Sequence, residues 1–368
     1  MSDTLRLNRA ISKLINDVLP DMLEANRITL AQMITGIFRG QNVQFRKIAQ
    51  KVQYRHKKPS LADKFRRFVR NKNIKTEVEY LPFAQLILSA LCMCQEQLVL
   101  AIDGTKIGGA CICLMVSIHY KSRALPLCWL VYKGKKGHSS METQLKLLRV
   151  VQSLIPENAP QIIFLGDGEF DGSLVVDWFE EETDWKYACR TSLDVKAFYQ
   201  EEWVALEDLP LKDREEAFFS QVLFTESGQV GPTNIAAVWN KKEGCHWFIV
   251  TNFGTLGKTQ KWYKKRFTIE TLFSDIKGRG FNVNKTRLFK PDRVSRLLLA
   301  VAIANLLSVF LGVELIRSGK LGQFVRTDAP YYSLFQLGLM YLDHLLNERL
   351  EFPTLNLSPP DSFDYLCT

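Results

Sequence analysis

Apolar and polar positions along the chain predict a helical beginning, a mixed middle and a helical end. Before residue 90, apolar residues recur at helical spacing, and Pro20, Gly40 and Pro59 interrupt the pattern. The predicted helices cover about residues 5–18, 28–39, 42–54 and 60–72, with a further apolar helix over Leu81–Met93. These segments predict a small helical bundle followed by a connecting helix.

From Gln97 onward, continuous apolar runs predict buried strands. The first, LVLAID, should end on Asp103 because Gly104 follows it, and the fourth, QIIFLGD, should end on Asp167. The remaining predicted elements are strands over Ala110–Tyr120, Ala124–Tyr132 and Trp185–Arg190, and helices over Met141–Leu154 and Gly172–Glu182. Their order is β-β-β-α-β-α-β, which predicts an α/β core.

The stretch from about residue 191 to 252 alternates short apolar runs with turn residues and predicts a β-rich insertion. Turns are expected at Gly228, Gly231–Pro232 and Gly244. Two further helices are predicted over Leu297–Ile316 and Tyr332–Arg349, before an irregular tail from Phe352. The apolar run that begins at Leu297 contains Asn305 and Ser308, so a buried core helix is favoured over a membrane span.

The stretch WYKKRFTIETLFSDIKGRGF, Trp262–Phe281, is predicted to be one helix. At about 100° per residue, four polar side chains lie within about 60° of one another. They are Tyr263, Arg266, Glu270 and Lys277. A carboxylate among phosphate-binding cations is expected where a metal ion lies between the carboxylate and the phosphate, whereas the alternative is a solvated face with an Arg266–Glu270 pair.

The spacing Y-(2)-R-(3)-E-(6)-K resembles the signature of transposases of the IS4 family of bacterial insertion sequences. The resemblance implies a ribonuclease H-like DDE core, interrupted by the β-rich insertion, in which Asp103, Asp167 and Glu270 are the catalytic residues and hold two Mg²⁺ ions, with Mn²⁺ as a substitute. It implies metal-dependent cleavage and strand transfer at terminal inverted repeats by a homodimer in the bacterial cytoplasm, associated with the nucleoid. The phosphates of the transposon end would be held by Tyr263, Arg266 and Lys277.

Each aspartate also has a simpler interpretation, because Asp-Gly after a strand commonly forms a turn. Glu169 and Asp171 are the nearest rivals to Asp167, but they lie past the strand end and are expected either to support Asp167 or to be charges at the helix N-terminus. The less favoured interpretation is that both Asp-Gly pairs are only turns, because the helix signature also matches.

Net charge is +9, and the positive residues cluster. Arg39–Lys75 holds thirteen Lys or Arg against the single acid Asp63, and Lys258–Arg296 is a second basic block. Asp177–Asp184 and Glu201–Glu216 between them are acidic. This distribution favours a double-stranded DNA partner, transposon ends and target alike, and no membrane partner. The predicted domains are a basic DNA-binding bundle (1–92), a catalytic core (93–316, with its insertion at about 191–252) and a C-terminal extension (317–368).

Within the insertion, Trp239 precedes Lys241 and Lys242 and is the candidate for stacking on a flipped base, whereas Trp247 is expected in the core. Weaker candidates for DNA contact, which a solvated loop explains as well, are Lys106, Lys133, Lys135, Lys136 and His138. The eight cysteines show no zinc spacing and predict reduced thiols, and the charged N-terminus predicts no signal peptide. Two alternatives remain: a non-catalytic repressor derived from a transposase, and a ribonuclease H-like nuclease unrelated to transposition.

Overall fold

The structure is a computed structural model that describes residues 3–55, 57–135, 137, 139–326 and 332–355. Lys136, His138 and most of the predicted irregular tail lie outside the described residues.

The N-terminal segment folds into short helices, as the apolar periodicity predicts. The third is much shorter than the predicted 42–54, because Gln44 before it is extended and the chain turns at Lys51 after it. The helices are α1 (Asp3–Val18), α2 (Glu24–Gly40), α3 (Phe45–Gln50), α4 (Lys58–Arg70), α5 (Thr76–Glu79) and α6 (Leu81–Cys92).

One ten-stranded sheet forms the middle of the molecule, with strand order β3-β2-β1-β4-β5-β10-β9-β8-β6-β7. Pairs β1–β4 and β4–β5 are parallel, and the other neighbours are antiparallel. The first five strands and their two crossover helices are β1 (Gln97–Ile107), β2 (Cys111–Tyr120), β3 (Arg123–Lys133), α7 (Met141–Leu154), β4 (Gln161–Gly166), α8 (Ser173–Glu182) and β5 (Lys186–Thr191). The mixed α/β class is therefore confirmed.

The insertion extends this sheet. Its last strand pairs antiparallel with β5, with Val250 opposite Cys189. The insertion strands are β6 (Lys196–Tyr199), β7 (Glu202–Ala205), β8 (Ala217–Phe224), β9 (Val230–Asn240) and β10 (Cys245–Thr251). The turn predicted at Gly231–Pro232 is wrong, since both residues lie inside β9, where the register with β8 slips and a proline can be accommodated.

The predicted end of the first strand at Asp103 is also wrong. The strand β1 continues to Ile107 because β2 still supplies antiparallel partners, opposing Met115 to Asp103 and Leu114 to Gly104. The parallel partner β4 stops earlier, with Leu165 opposite Ala101. Glycine does not end a strand when a neighbouring strand still bonds to its backbone.

The stretch predicted as one helix over Trp262–Phe281 is broken. It consists of α9 (Leu256–Tyr263), a 3₁₀ segment (Lys264–Phe267) and α10 (Thr268–Ile276). A 3₁₀ helix has 3.0 residues per turn instead of 3.6. The side chains of α10 therefore point in directions that a continuous helix from α9 would not give them. Lys277 follows the end of α10 and is not part of a continuous helical stripe.

The long helix α11 (Pro291–Arg317) is the centre of the apolar core. Among the described helices it alone is long and apolar enough to cross a membrane, but 89% of its most apolar window is buried inside the protein. It packs closely against α12 (Leu334–Asn347), where a Cβ at Gly338 would come within 1.7 Å of the Ser308 carbonyl oxygen. The core-helix interpretation is confirmed.

The N-terminal bundle packs directly onto this core helix. Helices α2 and α4 contact α11. Arg296 of α11 donates from Nε to the Ile74 carbonyl at 2.9 Å and from Nη1 to the Val69 carbonyl at 3.0 Å. The bundle and the sheet therefore share one apolar core.

Candidate active site

Asp103 and Asp167 lie side by side by strand register. Parallel pairing between β1 and β4 ends at Ala101 and Leu165, and each aspartate comes two residues after its strand's member of that pair. Asp103 lies inside β1, whereas Asp167 follows the last residue of β4, and neighbouring strands lie about 4.8 Å apart. The register therefore places the two predicted aspartates on neighbouring segments where the parallel pairing ends.

Asp167 begins a tight turn. Its Oδ1 accepts the Glu169 backbone N–H at 3.3 Å, and its carbonyl accepts the Phe170 N–H at 3.0 Å. The turn is close-packed, since a Cβ on Gly166 would be 2.7 Å from that of Phe170. The Asp167 side chain is partly exposed, whereas Asp103 is buried with 3% of its surface exposed.

Glu270 lies on the first turn of α10, on a segment that contacts both strands. The 3₁₀ segment before α10 contacts β1 and β4, and α10 itself contacts β1. The Glu270 side chain is 53% exposed, and its Oε1 accepts a hydrogen bond from Arg266 Nη2 at 3.0 Å. The carboxylate thus faces solvent and is held by one guanidinium.

Arg266 connects all three carboxylates electrostatically. It is 6% exposed, and burial by itself opposes its charge. The Tyr263 hydroxyl and the carboxylates of Asp167, Glu270 and Asp103 outweigh that effect and raise the pKa of Arg266. One buried guanidinium therefore lies within range of the whole predicted triad.

Tyr263 is buried on the same side of the site. Its hydroxyl has no hydrogen-bond partner among the residues that the structure describes. Burial raises the pKa of Tyr263 above its ordinary value, and Asp167 adds to this effect while Arg266 opposes it. The Tyr263 hydroxyl is therefore a buried donor beside Asp167.

Lys277 reaches the same strand from the end of α10. Its Nζ donates to Thr105 Oγ1, and Thr105 shares a face of β1 with Asp103 because the two are two residues apart. All four residues of the predicted stripe are accordingly near β1 or β4, although the helix that should present them is broken.

The two predicted rivals of Asp167 have different surroundings. Glu169 Oε1 accepts hydrogen bonds from the backbone N–H and hydroxyl of Ser139, and its other oxygen lies 3.8 Å from the position of a Cβ on Gly104. Burial raises the pKa of Asp171 to about 6, against a hydrogen bond from Thr191. Glu169 thus ties the lysine-rich loop after β3 to the Asp167 turn.

The remaining predicted DNA contacts divide into two groups. Lys106, Lys133 and Lys135 are exposed. Trp239 is partly buried at the end of β9, with its ring centre 5.0 Å from that of His246. No contact joins Trp239 to the carboxylates in the described part of the chain.

Trp247 and Arg190 are site neighbours that the sequence analysis missed. Trp247, which was expected in the core, packs against the core from a partly exposed position and lies 6.3 Å from the Tyr263 ring. It stacks on Phe267 at 6.2 Å, and the Arg190 guanidinium carbon lies 4.3 Å from its ring centre. The apolar run HWFIV indicates a buried strand, and within it Trp247 lies beside the 3₁₀ segment. The pairing of β10 with β5, which the sequence did not reveal, places it there.

The donor chemistry of the site fits a hard cation. Three carboxylates are oxygen ligands of the kind Mg²⁺ and Mn²⁺ prefer. Within the described residues, however, no three Asp, Glu, His or Cys side chains are close enough to hold one ion. Arg266 supplies the positive charge at this position and keeps Glu270 on its own guanidinium.

A family model described as the transposase DDE domain matches residues 95–307, which is more than half of the 368 residues. The chain belongs to the DDE transposase family. Family membership implies a nuclease and transposase activity, and members of this family generally use divalent metal ions.

No curated protein sequence matches this DDE transposase. Among solved structures it is similar to the cryo-EM synaptic complex of piggyBac transposase with hairpin DNA, at 12% identity and a TM-score of 0.44. That match covers 96% of this chain and 83% of the other. A likeness at this level adds nothing to the family assignment, which rests on the domain match.

Proposed function

We propose that this DDE transposase is an IS4-type insertion-sequence enzyme. It cleaves DNA at terminal inverted repeats and transfers the freed 3′ end to a new site, by cut and paste. Its β1–β5 unit is then a ribonuclease H-like core that the insertion extends. The observation that carries the proposal is the position of Arg266, which donates to Glu270 at 3.0 Å and whose charge is favoured by the carboxylates of Asp167, Glu270 and Asp103.

Asp103, Asp167 and Glu270 are the residues that would hold the divalent ions. When bound, two Mg²⁺ ions supply activation of the attacking oxygen and stabilise the charge that develops on the leaving oxygen. Asp103 and Asp167 are fixed by strand register and by the turn at Asp167, so their carboxylates need little rearrangement.

Glu270 must move, since its carboxylate is bonded to Arg266. When Glu270 turns toward the aspartates, the Arg266 guanidinium becomes available to a phosphate, for which its planar donors are suited. The Tyr263 hydroxyl and Lys277 ammonium offer two further donors on the same side. The chain's own contribution to the reaction is thus to position the phosphate against the carboxylate edge of β1 and β4.

The proposal includes a homodimer in the synaptic complex, in the bacterial cytoplasm close to the nucleoid. Within it, Trp239 remains a candidate for base stacking and is partly exposed. Trp247 is also partly exposed and lies beside Tyr263, so its position supports base stacking better than that of Trp239.

One observation favours the alternative of a non-catalytic DNA-binding protein: no group of three ligands is preassembled among the described residues. The experiment that decides between them incubates the protein with DNA that flanks its reading frame, in Mg²⁺ and in EDTA. We expect the wild-type protein to cleave DNA in Mg²⁺ but not in EDTA. The variants Asp103→Asn, Asp167→Asn and Glu270→Gln should lose cleavage and retain DNA binding.

Glu181→Gln is the matched control, because it changes an exposed glutamate on α8 that is outside the site. Binding without any cleavage by the wild-type protein would favour the repressor. Cleavage by the Glu270→Gln protein at the wild-type rate would exclude Glu270 as a ligand.

A further inference from the structure

A basic groove of about 580 Å³ lies where the N-terminal bundle meets the segment that follows α10. One wall is formed by α3, α4 and the residues just before α3, and the other by residues 286–288 and the start of α11. Six cations line it: Arg46, Lys47, Arg66, Arg70, Arg287 and Arg293.

No acidic side chain is among the residues that line this groove. Arg66 is paired with Asp63, but Arg46, Arg70 and Arg287 form no ion pair within the described ranges. Like charges so close together repel one another, and an anion in the groove relieves that repulsion. The charges therefore favour a polyanion with several phosphates.

The two walls are held together by hydrogen bonds between bundle and core. Gln44 Nε2 donates to the Lys285 carbonyl at 3.3 Å, and Asn282 Nδ2 donates to the Gln41 carbonyl at 3.0 Å. Val43, Val69 and Leu288 give the groove an apolar floor. The cations are thus presented on a fixed surface and not on a tethered domain.

The wall formed by residues 286–288 and the start of α11 also packs next to β1, the strand that carries Asp103. The Leu288 carbonyl accepts the Gly109 N–H at 3.3 Å, and it lies 2.7 Å from the position of a Cβ on Gly108. Gly108 follows the last residue of β1 and is five residues beyond Asp103, so the two lie at most about 17 Å apart at about 3.3 Å per residue. Along duplex DNA this length spans at most about five nucleotides of one strand at about 3.4 Å each.

We propose that this groove, formed jointly by the bundle and the core, binds the phosphate backbone of the transposon end within about five nucleotides of the phosphate that is cleaved. The proposal rests on the proposed function for its distance from the cut, but the phosphate contacts themselves do not need cleavage. Bundle and core then hold the same DNA segment, and end recognition places the scissile phosphate at the carboxylates.

The test measures binding of a labelled duplex of arbitrary sequence in EDTA, between about 50 and 200 mM salt, for the full chain and for Arg287→Gln with Arg293→Gln. Each lost phosphate contact should lower the slope of log K against log salt by about 0.9, so the double variant should lose about two. Arg149→Gln is the control for each single substitution, since it removes one positive charge from an exposed arginine of α7.

The single variant Arg287→Gln, at an exposed position, repeats the test with half the expected change if the double variant melts early. A slope equal to that of Arg149→Gln in both variants, or no duplex binding by the wild-type protein, overturns the groove. If the slopes change as expected but the wild-type protein cleaves no DNA, the groove stands and the proposed function fails. With a cleaved end, neutral methylphosphonates placed within about five nucleotides of the cut should weaken wild-type binding but not that of the double variant.

Discussion

Replacing Arg266 with glutamine should make the protein depend on divalent metal for its stability. Arg266 is 6% exposed and bonded to Glu270, and it balances Asp103 and Asp167 as well. Without the guanidinium, the site keeps three carboxylates and no cation from this position. Such a site is unstable in EDTA, and Mg²⁺ becomes the charge that can replace Arg266.

The size of the effect follows from the exposure of each partner. The contact with Glu270 contributes at most about 1 kcal/mol, because that carboxylate is 53% exposed and solvent screens the pair. Asp167 and Asp103 add Coulombic attraction to the same guanidinium, and that of Asp103 is the weakest of the three carboxylates. We expect the free energy of unfolding to fall by about 1–3 kcal/mol in EDTA, because a buried charged partner is removed.

The assay is urea unfolding in EDTA and in saturating Mg²⁺. Ligand binding stabilises the folded state in proportion to the logarithm of concentration over the dissociation constant. The variant should therefore regain more stability from Mg²⁺ than the wild-type protein gains, because its carboxylates no longer have a competing guanidinium. Arg149→Gln is the control and should behave as wild type in both conditions.

An equal or smaller gain from Mg²⁺ in Arg266→Gln than in the wild-type protein would refute this reasoning. It would mean that Arg266 and the metal do not compete for the same carboxylates.

Three further changes test other parts of the molecule. Burial raises the pKa of Asp275 to about 6 from an ordinary 3.8, so its contribution to stability is full below about pH 4 and is lost as the pH rises to about 6; unfolding should show a loss of up to about 3 kcal/mol that Asp275→Asn removes. Gly338→Ala should cost about 3 kcal/mol or more in thermal unfolding, because the added Cβ meets a backbone oxygen of α11, whereas Gly257→Ala, with open space around it, should not destabilise. Trp247→Ala should reduce cleavage more than Trp239→Ala does. Wild-type cleavage by both variants would mean that neither ring contacts the DNA.

The sequence was sufficient to predict the core strands, because long apolar runs that end in Asp-Gly leave little choice of element. It could not show that β1 continues past Asp103, since that depends on hydrogen bonds from β2. The position of Asp103 beside β4 does not depend on this error, because β4 ends at Gly166, one residue before the predicted Asp167.

The helix signature was a better guide to function than to local structure. The fixed spacing of Tyr263, Arg266 and Glu270 was interpreted as a continuous helix, but a 3₁₀ segment interrupts it. Local propensity cannot predict that change, because the segment tightens where Tyr263 and Arg266 are buried against neighbouring elements. The contacts of Trp247 with Tyr263 and Arg190 could not be predicted for the same kind of reason, since the partner strand of β10 was unknown.

Within the proposed function, Arg266 would also keep the acidic site folded before metal binds. The carboxylates of Asp103, Asp167 and Glu270 all favour the charge of Arg266, and without that charge they would repel one another. The hydrogen bond from Arg266 holds Glu270 at the guanidinium, and no three possible ligands among the described residues are close enough to hold one ion. The guanidinium would become available to a DNA phosphate when Glu270 turns toward the aspartates. On this argument, the spacing from Arg266 to Glu270 serves two successive states of one site: a stable empty state and a loaded state with the cation free to bind substrate.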